Sequence, residues 1–316
     1  MVFFYFNFLN MEILKLESVT KRFGNYTAVD NISFDVEEGI IFGIIGPNGA
    51  GKSTTIRMIN NIFNPDSGEI SVFGEKIKAE SQDFMGYLPE ERGLYKKIKV
   101  IDQLIYFGKL KSLTEKQSKD AARYWLNRLG ASDWEKKMIQ ELSKGMQQKV
   151  QFISTLLHKP RLLILDEPFS GFDPINADLF KKIVLDLKND GTTILLSTHI
   201  MEQAEQMCDK IGLINKGKLV LSGNLRNIKK EFGKDTVLIE YEGSDEFLNE
   251  LHNVQFINRS KGRAEFRVTN KEMSFKEIIE KANKSAEISR FELSEPSLNE
   301  IFIDVVSKSG VENVQL

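Results

Sequence analysis

Gly46-Pro47-Asn48-Gly49-Ala50-Gly51-Lys52-Ser53-Thr54 follows the apolar run Ile40-Ile41-Phe42-Gly43-Ile44-Ile45 and precedes Ile56, Met58, Ile59 and Ile62. The run reads as a buried strand, and the spacing after it suits one face of a helix. A glycine-rich loop between a strand and a helix is the setting that phosphate binding requires. Glycines 46, 49 and 51 let the backbone fold tightly and turn its N–H groups inward. The helix that starts after Gly51 aims its positive end at the same point. Lys52 adds charge for the outer phosphates, and the Ser53 hydroxyl is a ligand for Mg²⁺. The stretch implies a nucleoside triphosphate site.

A length of 316 residues suggests about two domains. Lys+Arg 43 against Asp+Glu 45 leaves a net charge of -2 and a pI near 6.1. That balance lacks the basic footprint of a dedicated nucleic-acid binder. The single cysteine, Cys208, excludes an intramolecular disulfide, and its helical spacing with Ala204 and Met207 reads as packing. No apolar stretch reaches the roughly 20 residues of a membrane helix. Met1–Asn10 is apolar and uncharged, without the basic start of a signal peptide. It is expected to be a disordered tail or a misassigned start, with a membrane-surface anchor as the alternative, and Met11 leads into a strand at Glu12–Val19.

Ile32, Phe34 and Val36 alternate, as do Ile70 and Val72, so short strands surround the loop. Phe23 stands upstream of it, either stacked on an adenine ring or packed in the core. Residues 84–160 read as largely helical. Ile101, Leu104, Ile105 and Phe107–Leu110 mark one helix; Ala121, Trp125 and Leu129 mark a second. Trp125 and Trp134 read as core, and Lys96, Lys97 and Lys99 as solvated surface. Ser143 is a helix N-cap ahead of Met146, Val150, Ile153 and Leu157.

Leu162-Leu163-Ile164-Leu165-Asp166-Glu167-Pro168 reads as a fully buried parallel strand ending in two carboxylates. Ligands bind at such carboxyl ends in open α/β sheets. Asp166 is placed for the Mg²⁺ shell, and Glu167 for the water that faces a γ-phosphate. A strand at Thr193–Ser197 ends in Thr198-His199; His199 either donates to a γ-phosphate or is structural. His158 and His252 have no such context. Beyond residue 225 no phosphate motif occurs. Strands at Val237–Tyr241, Val254–Ile257, Ala264–Val268 and Glu287–Leu293, with helices at Phe275–Ala282 and Leu298–Val306, suggest a small α+β domain. Lys229-Lys230-Glu231-Phe232-Gly233-Lys234 reads as the linker.

These pieces together resemble the ATP-binding subunit of an ABC transporter over about residues 12–225. Besides the loop and the acids, the resemblance rests on Leu142-Ser143-Lys144-Gly145-Met146-Gln147-Gln148, similar to the signature sequence, and Ser170-Gly171-Phe172-Asp173, similar to the D-loop. His199 stands as the switch histidine. Two departures are visible: Lys144 and Met146 replace the signature's usual glycine and glutamine, and Glu90 takes the place of the Q-loop glutamine in Tyr87-Leu88-Pro89-Glu90-Glu91-Arg92-Gly93. With Glu295-Pro296-Ser297-Leu298-Asn299-Glu300-Ile301-Phe302, they resemble the branch paired with ABC-2-type permeases.

The resemblance implies an α/β P-loop NTPase of the ABC ATPase type, with RecA-like core, β subdomain and helical subdomain (about 84–160), then a C-terminal α+β domain at 226–316. It implies ATP and Mg²⁺ as cofactors. Phe23, Gly46, Asn48, Gly49, Gly51, Lys52, Ser53, Thr54, Ser143 and Gly145 would bind ATP, Ser53, Asp166 and Glu90 would bind the metal, and Glu167 and His199 would be catalytic. Partners would be a second ATPase copy and a membrane permease at the cytoplasmic face of the cell membrane. A soluble ABC ATPase and a P-loop kinase are the competing classes. The signature argues against the kinase.

Overall fold

The structure is a computed structural model, and the described residues are 12–91, 93–233, 236–269 and 275–308. The expected tail, Met1–Asn10, lies outside them. The chain divides into two compact units, one ending at Asn224 and one beginning at Leu225.

The first unit opens with a hairpin of β1 (Glu12–Phe23) and β2 (Tyr26–Glu37), whose register runs from Glu12↔Glu37 to Phe23↔Tyr26. β1 therefore extends past Val19, the expected end. β3 (Ile41–Ile45) is buried at every position, as a strand covered on both faces must be. α1 (Lys52–Ile59) buries Thr55, Ile56, Met58 and Ile59. Ile62, expected on that face, lies past the cap at Asn60 and is exposed. β4 (Ser67–Val72) and β5 (Glu75–Lys76) complete an antiparallel sheet of order β2-β1-β4-β5.

β6 (Met85–Leu88) corrects the expectation of helix from residue 84. It pairs in parallel with Leu162–Leu165, so the core sheet claims its backbone before the helices begin. These are α2 (Val100–Leu110), α3 (Glu115–Arg128) and α4 (Lys144–Leu156). Trp125 and Trp134 are buried as expected, and α2 ends at Leu110, the last residue marked for that helix. Lys96, Lys97 and Lys99 are exposed. Ser143 caps α4, its hydroxyl accepting from Met146 N at 3.3 Å.

The unit continues through β7 (Leu162–Asp166), α5 (Pro174–Asn189), β8 (Thr193–Thr198), α6 (Met201–Met207), β9 (Lys210–Asn215) and β10 (Lys218–Asn224). A six-stranded sheet of order β10-β9-β3-β8-β7-β6 results, parallel apart from β10. The two sheets share one core, in which Phe34 stacks on Phe42 with centroids 5.0 Å apart. Cys208 lies just past α6, buried against Gly43, where any Cβ would come within 2.7 Å of its sulfur.

In the second unit α7 (Leu225–Glu231) occupies half of the stretch expected as linker. β11 (Thr236–Gly243), β12 (Val254–Ser260), β13 (Arg263–Val268) and β14 (Ala286–Ser294) form an antiparallel sheet of order β12-β13-β11-β14. α8 (Phe275–Ala282) contributes Ile278 and Ala282 to its core. α9 (Leu298–Lys308) starts with a capping box. Glu300 Oε2 accepts from Ser297 N at 2.7 Å, and Ser297 Oγ accepts from Glu300 N at 3.3 Å. That reciprocal pair accounts physically for Ser297 and Glu300 in the segment 295–302.

Candidate nucleotide site

The sheet order sets β3 beside β8, and β8 beside β7. Ile45 pairs with Thr198 and Asp166 with Ser197, so Gly46, Glu167 and His199 all follow the carboxyl ends of adjacent parallel strands. The loop after β3 needs its glycines for two separate reasons. Gly46 has φ 156, and a Cβ there would lie 2.1 Å from Ile214 O; Gly51 has φ 111, and a Cβ there would lie 2.5 Å from Ala28 O. Lys52 is buried, with Nζ donating to Gly46 O at 2.8 Å and Pro47 O at 3.2 Å.

Around Lys52 the expected catalytic groups come together. Its Nζ lies 3.3 Å from Glu167 Oε1, and His199 Nδ1 lies 2.9 Å from Glu167 Oε2. Glu167 has φ 48, a left-handed conformation that a non-glycine residue adopts only when its surroundings hold it. The holding groups are Ser197 O and Ser197 Oγ, which accept from Glu167 N at 3.3 and 3.0 Å.

Asp166 Oδ1 accepts from Ser53 Oγ at 3.3 Å and from Ser197 Oγ at 2.5 Å. Burial pushes the Asp166 carboxyl above the usual carboxylate range, against the pull of those two hydroxyls. Burial, with Asp166 adding, also pushes the Tyr87 phenol up to about 12. Ser53, Asp166 and Glu90 offer only oxygen, the donor type that Mg²⁺ takes. A cation would also relieve the cost that burial places on Asp166. Among the described residues no three His, Cys, Asp or Glu side chains converge to form a metal cage. Mg²⁺ characteristically completes such sparse shells with phosphate oxygens and water.

A cavity of about 420 Å³ opens over the loop, lined by Asn48, Gly49, Gly51–Thr54, Glu90 and Glu167, together with Tyr26 and Ala28. Phe23 does not border it. Phe23 is half exposed, with its ring edge-on to Phe63 at 5.8 Å, which removes the core alternative. Ser143 and Gly145 also stand outside the cavity; Ser143 is exposed at the head of α4. Sequence reasoning missed Ser197 and Tyr26. The signal for Ser197 was a polar residue closing a buried strand next to the acid-bearing one. Tyr26 offered only its proximity to Phe23.

Fold and site together define a P-loop nucleotide-binding protein. A family model described as ABC transporter matches residues 29–170, and one described as the C-terminal domain of DrrA1-3-like ATP-binding proteins matches residues 223–306. The chain is 44% identical over 294 residues to the uncharacterized ABC transporter ATP-binding protein YhaQ of Bacillus subtilis (strain 168), covering 93% of this chain and 98% of that protein. It is 35% identical over 251 residues to the linearmycin resistance ATP-binding protein LnrL of the same organism, covering 78% and 81%. A solved ATP binding subunit of an ABC transporter superposes with a TM-score of 0.65 at 30% identity, covering 70% of this chain and 93% of that one. The chain belongs to the ABC transporter ATP-binding proteins. Among the described residues no helix is long and apolar enough to cross a membrane.

Proposed function

We propose that this chain is the ATP-hydrolysing subunit of an ABC-2-type exporter, acting as one of two nucleotide-binding subunits beneath a separate permease at the cytoplasmic face of the membrane. The observation that carries the reading is the contact series Lys52–Glu167–His199 at the edge of the loop cavity. The DrrA-like C-terminal match and the resistance protein among the relatives support export.

In this reading Asn48, the loop amides, Ser53 and Thr54 receive the phosphates, and Lys52 exchanges its carbonyl partners for phosphate oxygens. Phe23, exposed at the end of β1, stacks on the adenine. Mg²⁺, held by Ser53, Asp166 and Glu90, would neutralise phosphate charge during transfer. Glu167 orients and deprotonates the attacking water, and His199 holds Glu167 through Nδ1 while its other nitrogen serves the γ-phosphate. Ser143, Gly145 and the positive end of α4 close the site from a second copy. Nucleotide then acts as interface glue, because those groups gain a partner only while the γ-phosphate is present.

Replacing Glu167 by Gln tests the scheme. ATP binding should persist, turnover should fall roughly 10²- to 10⁴-fold, and the protein should elute as a dimer with ATP in size-exclusion chromatography. Adding Ser143→Ala should return it to a monomer. Normal turnover by Glu167→Gln would remove the residue from its role.

A further inference from the structure

Helix α4 carries two buried glutamines, Gln148 and Gln151, that the scheme above does not use. Three residues apart, they share one face of the helix. Gln148 Nε2 donates to Pro168 O at 2.8 Å, and Gln151 Nε2 donates to Glu91 O at 3.1 Å. Pro168 directly follows Glu167, and Glu91 directly follows Glu90. One helix thus grips the backbone immediately behind both acids.

Both glutamines border a chamber of about 50 Å³ whose wall also includes Glu90, Asp166, Glu167 and Pro168. A water needs about 10–15 Å³ of such space, and this wall is polar enough to hold one. Pro168 O can only accept, so the Gln148 amide nitrogen must face it. Gln148 Oε1 is then left buried without a hydrogen-bond partner, as is Glu167 Oε1. Lys52 Nζ approaches Glu167 Oε1 at 3.3 Å without completing a hydrogen bond. The chamber wall thus includes residues that carry unpartnered buried acceptors, and a proton-donating molecule such as water suits it.

We propose that Gln148 is a positioning residue for Glu167: its amide nitrogen fixes the Glu167–Pro168 turn, and its Oε1 anchors water in the chamber beside the carboxylates. Gln151 holds the Glu90 segment against the same chamber. The inference rests on the reading that Glu167 activates the attacking water.

The test uses the full chain with Mg-ATP in single-turnover hydrolysis, and a fluorescent ATP analogue for affinity. Gln148→Met keeps the volume and removes both polar atoms. The hydrolysis rate should fall roughly 10- to 100-fold, the scale of a misplaced catalytic group. The nucleotide Kd should stay within about twofold, because Gln148 touches no part of the loop cavity. In a Glu167→Gln background the same substitution should have no further effect, since both changes act through one group. Gln148→Asn, one methylene short of Pro168 O, should show the same split and serves if the Met variant does not fold. An unchanged rate in a folded variant, an equal loss of rate and affinity, or additive losses in the double variant would each overturn the inference. Should Glu167→Gln itself hydrolyse ATP normally, the underlying reading fails instead.

Discussion

Ser197→Ala probes the site through a residue that touches neither the loop nor the cavity. Ser197 is fully buried, and its hydroxyl makes two contacts at once, donating to Asp166 Oδ1 at 2.5 Å and accepting from Glu167 N at 3.0 Å. A hydrogen bond to a charged group contributes about 1.5–3 kcal/mol and a neutral one about 0.5–1.5 kcal/mol. Both acids keep a second partner: Glu167 N retains Ser197 O at 3.3 Å, and Asp166 retains Ser53 Oγ at 3.3 Å. The loss should therefore fall near the low end of the sum, about 2 kcal/mol. For a unit of this size that lowers Tm by roughly 4–8 °C. Glu167 also loses one of the contacts that hold its left-handed backbone, so hydrolysis should fall at least tenfold, about 1.4 kcal/mol of barrier. Differential scanning fluorimetry and a coupled phosphate-release assay read the two effects. In an Asp166→Asn background the stability loss should shrink, since one of the two partners has changed. A Tm within about 1 °C of the parent, together with an unaltered rate, would refute the claim that this hydroxyl holds the acid pair.

Two further outcomes follow from local geometry. Gly46→Ala should abolish nucleotide binding, because its Cβ would sit 2.1 Å from Ile214 O, whereas Gly49→Ala has open space and only the strain of φ 77 to bear; equal affinities by equilibrium titration would refute the distinction. His158 supplies a pH dependence. Burial pushes its imidazole down to about 4 from 6.5, despite the contact of Nε2 with Met85 O at 3.0 Å. The folded value lies below the unfolded one, so its contribution is complete above about pH 6.5 and is lost as pH falls toward 4, on the order of 3 kcal/mol at most. His158→Gln should flatten that part of the stability–pH curve, and an unchanged slope in chemical denaturation between pH 4 and 6.5 would count against it.

Much of the first unit was legible because its signals are local. The buried runs that became β3, β7 and β8 declare themselves by continuous apolar residues, and Ser143 by its position before a periodic helix. β6 escaped because a four-residue edge strand containing Gly86 and the partly exposed Tyr87 carries almost no period. Gly86 is required there by the backbone of α4, since a Cβ would lie 2.5 Å from Thr155 O. Ile62 was misjudged because periodicity does not say where a helix stops.

The phosphate loop, the two acids and the helix cap were determined by sequence alone, for each depends on residues a few positions apart and on backbone angles those residue types dictate. Tertiary structure decided which distant groups meet them. Ser53 reaches Asp166 across 113 residues, Ser197 reaches Asp166 across 31, and Gln151 reaches Glu91 O across 60. Such contacts follow from the order of strands in the sheet and the packing of α4, and no spacing along the chain encodes either.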